Sequence, residues 1–181
     1  MLTGFTDDTK QNLQLGAGVL TTAYVAGGTI SKTDIIGATR GGGSFTAVPT
    51  ERPIDADGIP ENVKGMKVID EWVCTLNTTL IEFKPDNLKL ALGGGASVST
   101  SADKSTITAT SKIVDGDYKD IYWIGDTGDG KQIVIHLKNA MNTGGLNFTI
   151  SNKGEGTYSL ALVGNYTADD LEDAPFEIIR G

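Results

Sequence analysis

Apolar and polar residues alternate with a period of two through much of this chain. In the longest run, Met66–Phe83, Trp72, Cys74, Leu76, Thr78 and Leu80 share one face, and Val73, Thr75, Asn77, Thr79 and Ile81 share the other. That spacing predicts a long, bent strand and not a helix. Shorter runs predict strands at Val19–Ala26, Thr106–Val114, Ile121–Gly125, Lys131–Lys138, Leu146–Asn152 and Thr157–Gly164. Turn sequences such as Asp115-Gly-Asp, Asp126-Thr-Gly-Asp-Gly and Asn142-Thr-Gly-Gly separate them, and Gly154 and Gly156 suggest a tight hairpin. One short helix is predicted to start at Pro85, with Asp86 or Asn87 as its cap, Leu88, Ala91 and Leu92 facing inward, and Gly93 as its stop. A second helical turn is predicted at Ala168–Leu171. Strands spaced by turns predict a mainly β fold: a β-sandwich or barrel-like subunit with one short flanking α-helix and a long extended loop or arm.

The arm is Gly37–Gly65, GATRGGGSFTAVPTERPIDADGIPENVKG, which holds three of the five prolines and no regular apolar period. Loops of this length within a domain are mostly functional or disordered. Phe45, Val48, Ile54 and Ile59 are spaced along it, whereas a purely disordered linker lacks such anchors. These residues predict an extended arm that folds against something else, most simply another copy.

Length and composition narrow the remaining choices. A chain of 181 residues can bury a real core without metal or disulfide staples, and Cys74 is the single cysteine. Fifteen Lys plus Arg against twenty-three Asp plus Glu leave a net charge of −8, which argues against a protein that grips nucleic acid through its phosphates. No apolar run approaches the roughly 20 residues of a transmembrane helix, and the opening MLTGFTDDTKQN does not read as a secretory signal.

Catalytic constellations are thin. His136 is the only histidine and sits mid-strand, where a structural role is expected, and Cys74 alternates with Trp72 and Leu76 as a buried apolar residue would. Gly16-Ala-Gly18 begins a dinucleotide-binding pattern that ends wrongly at Thr21, and Gly37–Ser44 lacks the lysine of a phosphate loop. Counted as calcium loops, Asp55–Asp57 places Ile59 at the fifth position and Asp126–Asp129 places Gly128 at the third, so turn-forming acids are expected at both. Tyr118, Tyr122 and Trp123 cluster, but Ile121 and Trp123 alternate like core residues rather than forming an exposed platform. The expectation is therefore a non-enzyme with no cofactor and no metal.

The arm, followed by MKVIDEWVCTLNTTLIEFKPDNLKLALGGG, resembles the tail tube (major tail) proteins of tailed bacteriophages and prophages. The shared order is a Gly/Pro-rich arm, a Lys-Gly pair before a long strand, and a Thr-rich strand ending in a proline-started helix, over about residues 10–95. The resemblance implies a structural virion protein that polymerises as stacked, hexameric rings into a tube conducting DNA during ejection. It implies one tail-tube-like domain over 1–181, with 1–15 and 174–181 as terminal arms and 37–65 as the arm or stacking loop. Its partners would be copies of itself, the tape-measure protein, the tail terminator and distal tail proteins, with DNA passing through the lumen unbound and no membrane involved. It would reside in the virion tail, and in the host cytoplasm during assembly. Arg40, Phe45, Arg52, Ile54 and Ile59 are the expected oligomer-interface residues. Two other readings stay open: a tube protein of a contractile bacteriocin or secretion apparatus, and a ligand-binding (carbohydrate or adhesin) β-sandwich module.

Overall fold

The computed structural model describes residues 3–181. In chain order the elements are helix α1 (Thr9–Asn12), strands β1 (Gln14–Thr21), β2 (Thr39–Pro53) and β3 (Lys67–Leu80), helix α2 (Pro85–Leu92), and strands β4 (Ala96–Ser101), β5 (Lys104–Ala109), β6 (Lys119–Thr127), β7 (Gln132–Asn142), β8 (Phe148–Thr149), β9 (Thr157–Val163) and β10 (Phe176–Arg180). Strands hold 48% of the chain and pair antiparallel throughout, so the fold is mainly β and sandwich-like. No helix among the described residues is long and apolar enough to cross a membrane.

The main sheet runs β1-β6-β7-β9-β3-β2, with β10 on β7 and β8 on β9. It folds over itself at β7. Asn139 adopts a left-handed φ of 47°, its N–H donates to the Asp120 carboxylate (3.0 Å), and the bulge there re-aims the strand. Residues before the bulge pair with β6 and β10, whereas Met141 and Asn142 pair with β9. The two halves enclose Leu20, Cys74, Leu76, Leu80, Ile121, Leu137, Tyr158, Leu160 and Leu162, all at most 3% exposed. The expected alternation in Met66–Phe83 is confirmed on one face, where Cys74, Leu76 and Leu80 are buried.

Several boundaries differ from the sequence expectation. The Val19–Ala26 strand lies earlier, at Gln14–Thr21, because Gly16 (φ 85°) and Gly18 (φ 72°) form a bulge that keeps pairing with β6. Leu146–Asn152 contributes only Phe148–Thr149, joined to β9 by a seven-residue loop and not a tight turn. Ala168–Leu171 is a turn closed by a Thr167–Asp170 bridge instead of a helix. Helix α2 starts at Pro85 and stops at Gly93 as expected, but Lys84 is its cap residue and makes no side-chain cap bond. Asn87 is buried and donates to the Ile36 carbonyl at 2.6 Å. Below the helix, the Gly95 and Val114 N–H groups donate to the buried Asp117 carboxylate, and Lys89 lies 3.6 Å away. Those N–H groups, ahead of any contribution from Lys89, hold the Asp117 carboxyl below its usual range although burial opposes them.

Parts of both expected terminal arms are paired with the sheet of the same chain. Phe176–Arg180 of the expected 174–181 arm is strand β10, and Phe176 packs 5.6 Å from both Phe45 and Trp72. Of the expected 1–15 arm, Met1 and Leu2 lie outside the described residues. Gln14 and Leu15 pair with β6, and the Gln11 and Leu13 carbonyls accept from Asp129 and Gly128. Backbone pairing and the packing of Phe176 tie these segments to the sheet, while Phe5, Leu13, Leu15 and Ile178 stay exposed.

Candidate assembly surface

The Gly37–Gly65 excursion is largely strand. Residues Thr39–Pro53 form β2, which pairs with β3 along its whole length, and residues 54–66 close the hairpin. Within that connection Ile54 N–H donates to Met66 C=O (2.9 Å), Ile59 to Ala56, and Met66 to Val63. Pro49 and Pro53 are compatible with a strand here because β2 pairs on one side only, so the missing N–H groups can fall on its open edge.

The hairpin has two parts of different character. Near the sandwich, Phe45 and Ala47 pair with Leu76 and Cys74 and pack on the buried core. Farther out, β3 has lost its other neighbour, since β9 pairs only with Thr75–Leu80. The outer part carries six large apolar residues that are 39–58% exposed: Val48, Ile54, Ile59, Val68, Ile69 and Val73. Val48 and Val73 face each other across the ladder. Ion pairs Arg52–Asp70 (3.1 Å) and Lys67–Glu51 (3.0 Å) brace this part without covering its apolar residues.

The five residues expected at an interface thus fall in different places. Ile54 and Ile59 lie exposed at the tip, and Arg52 lies on the outer hairpin in its ion pair. Arg40 sits at the opposite, base end, where it pairs with Glu155 at 2.5 Å and holds that carboxyl below its usual range. Phe45 is half-buried against Phe176 of its own sheet, so part of its apolar surface is covered within the chain. Val68, Ile69 and Val73, on the returning strand, went unassigned because their exposure depends on where β9 stops, which the alternation of β3 does not encode.

Residues 34–36 hydrogen-bond Leu20 and Thr22, so the open edges of the main sheet are β2 and the Gln14–Val19 part of β1. Between them lies a cleft of about 310 Å³, lined by the glycine-rich bulges of β1 and β2 together with Leu20, Phe45, Leu76 and Trp123. None of the described residues lining it is titratable. The Trp123 indole lies against Gly18, where a Cβ would meet it at 2.5 Å, and donates to Ala17 C=O at 3.0 Å. The Gly16-Ala-Gly18 motif therefore serves this close approach.

The other weighed groups sit in structural surroundings. His136 stacks on Tyr122 at 4.2 Å, and its ring nitrogens face the carboxylates of Asp120 (3.4 Å) and Glu177 (3.6 Å). Tyr122 and Trp123, adjacent in β6, point to opposite faces, so they do not form one aromatic platform. Cys74 is fully buried and desolvation pushes its thiol pKa up. Asp129 accepts from Thr127 and from Lys131 N–H, as a turn-forming acid does. Among the described residues no group of three or more His, Cys, Asp or Glu is placed to hold a metal ion.

No protein-family model and no curated protein matches the chain. Among solved structures it is similar, at 12% identity and a TM-score of 0.43, to a chain from the virion of a native gene transfer agent particle, over 90% of this chain and 95% of that one. It is similar, at 13% identity and a TM-score of 0.41, to a chain from the tail of an empty gene transfer agent particle with C6 symmetry, over 83% of this chain and 92% of that one.

Proposed function

We propose that this chain is a non-enzymatic structural protein that assembles with copies of itself into the stacked, hexameric rings of a phage-type tail tube. One observation carries the reading. The outer β2–β3 hairpin holds six large apolar residues that its own fold leaves 39–58% exposed, on an element braced by two ion pairs. A concentration of partly exposed large apolar residues on one hairpin suits an interaction surface. The open edge of β2, and that of β1 before Leu20, support lateral association, because ring closure would pair or cover edges that are otherwise aggregation hazards. A net charge of −8 suits a lumen along which DNA slides without binding.

On this reading the partners are further copies, a tape-measure protein, a tail terminator and distal tail proteins, and the location is the virion tail after assembly in the host cytoplasm. A tube from a contractile bacteriocin or secretion apparatus shares the same subunit physics, and a sheath gene beside this one distinguishes it. Electron microscopy of concentrated protein, alone and with initiator and tape-measure partners, is expected to show rings or tubes with a bore about one DNA duplex wide. Monomers under all of these conditions contradict the reading.

A further inference from the structure

Strand β3 ends in apolar surface twice. Its Lys67 end joins the hairpin tip, and its Leu80 end lies roughly 45 Å away at about 3.3 Å per residue. Just past Leu80, Phe83 stacks on Phe148 of β8 at 5.3 Å, and Phe83, Phe148 and Ile150 are 46%, 44% and 88% exposed. One sheet therefore offers two different uncovered apolar surfaces at opposite ends. A twofold contact needs a single self-complementary patch, whereas two unlike patches on opposed ends suit a head-to-tail contact that repeats.

Charge distinguishes the two ends in the same sense. At the tip, once Arg52–Asp70 and Lys67–Glu51 are paired, Asp55, Asp57 and Glu61 remain against Lys64 alone. At the base, Arg40–Glu155 and Lys84–Glu82 are paired, and Lys153 remains without an ion-pair partner among the described residues. The tip thus keeps excess negative charge and the base keeps an exposed cation.

We propose that the Phe83–Phe148–Ile150 surface is the acceptor for the hairpin tip of a second copy of this chain. Ile54 and Ile59 of one copy lie on the aromatic pair of the next, and Lys153 faces the tip carboxylates. The inference rests on the self-assembly reading and adds which surface receives the hairpin.

The test traps the contact in the full-length protein. Ile59→Cys and Ile150→Cys variants are mixed and treated with diamide; Cys74 is fully buried, and the unaltered protein reports its background. The mixture is expected to give at least about tenfold more disulfide-linked dimer than either variant alone, as expected for encounters favoured by ~1.4 kcal/mol. Dimer from Ile59→Cys alone at the level of the mixture overturns the acceptor and leaves self-assembly standing. Polymers visible by microscopy without the mixed adduct do the same. Neither adduct nor polymer in any combination overturns both readings. As a second measurement, Ile150→Asp, at a side chain too exposed to affect folding, is expected to raise the concentration needed for polymer at least about tenfold; an unchanged threshold overturns the acceptor.

Discussion

Substitutions at Phe45 and at the Ile54/Ile59 pair separate the two parts of the hairpin. Phe45 packs on the core beside Phe176, so Phe45→Ala removes intramolecular burial. Full burial makes such a change cost about 3–5 kcal/mol, and half-burial puts this one near 2 kcal/mol. Ile54 and Ile59 are each 43% exposed. The double change Ile54→Ser/Ile59→Ser is expected to cost the monomer about 1 kcal/mol or less in total, because much of what covers these side chains is local chain that covers them when unfolded too. Complete burial of an isoleucine is worth about 2.5 kcal/mol, so covering the exposed share contributes about 1 kcal/mol per residue at a contact. Losing both should raise the polymerisation threshold about 30-fold. Urea unfolding of the monomer and sedimentation of the polymer read the two effects separately. If the tip variant destabilises the monomer as much as Phe45→Ala does, or leaves the polymerisation threshold unmoved, the division of the hairpin is wrong.

Other consequences can be checked on the monomer. Leu162→Ala, at a side chain with no exposure, is expected to cost about 3 kcal/mol in chemical unfolding. Gly18→Ala forces a left-handed φ on alanine and displaces the Trp123 indole, so it should lower stability and red-shift tryptophan emission; an unchanged spectrum contradicts the packing described. Tyr158 donates to Glu82 C=O at 2.6 Å and burial pushes its phenol pKa up to about 12, so Tyr158→Phe should cost about 1–2 kcal/mol and remove a late-ionising phenol from an alkaline absorbance titration. The Asp117 carboxyl lies below its unfolded value, so its stabilisation is complete above about pH 4 and is lost as pH falls through the lower folded value. Asp117→Asn should therefore weaken the fold near neutrality and flatten its loss of stability in acid, which urea unfolding at stepped pH measures.

The elements that could be read directly were those whose pattern is set by their own burial. Strand β9 and the inner part of β3 bury alternate side chains against the core, β7 buries Val134 and Leu137 on its two faces, and helix α2 carries its own start and stop in Pro85 and Gly93. Strand β2 escaped because an exposed edge strand tolerates prolines and glycines and needs no apolar alternation; its hydrogen bonds come from β3. Strand β4 is built of small polar residues, and β10 is a five-residue strand whose partner lies about forty positions earlier. The same logic governs the site. Ile54 and Ile59 stood out against a polar segment, whereas Val68, Ile69 and Val73 resemble core positions until β9 stops short of them. The packing of Phe45 on Phe176 was not legible because the two are remote in sequence.

The account depends on the hairpin tip finding cover in a neighbouring copy. Amide hydrogen exchange of assembled particles against monomer, read over residues 48–73, measures this directly. Strong protection of Ile54–Ile69 on assembly, with little change at core positions such as Leu160, is the predicted result. Assembled particles whose tip exchanges as fast as the free monomer's would contradict the account.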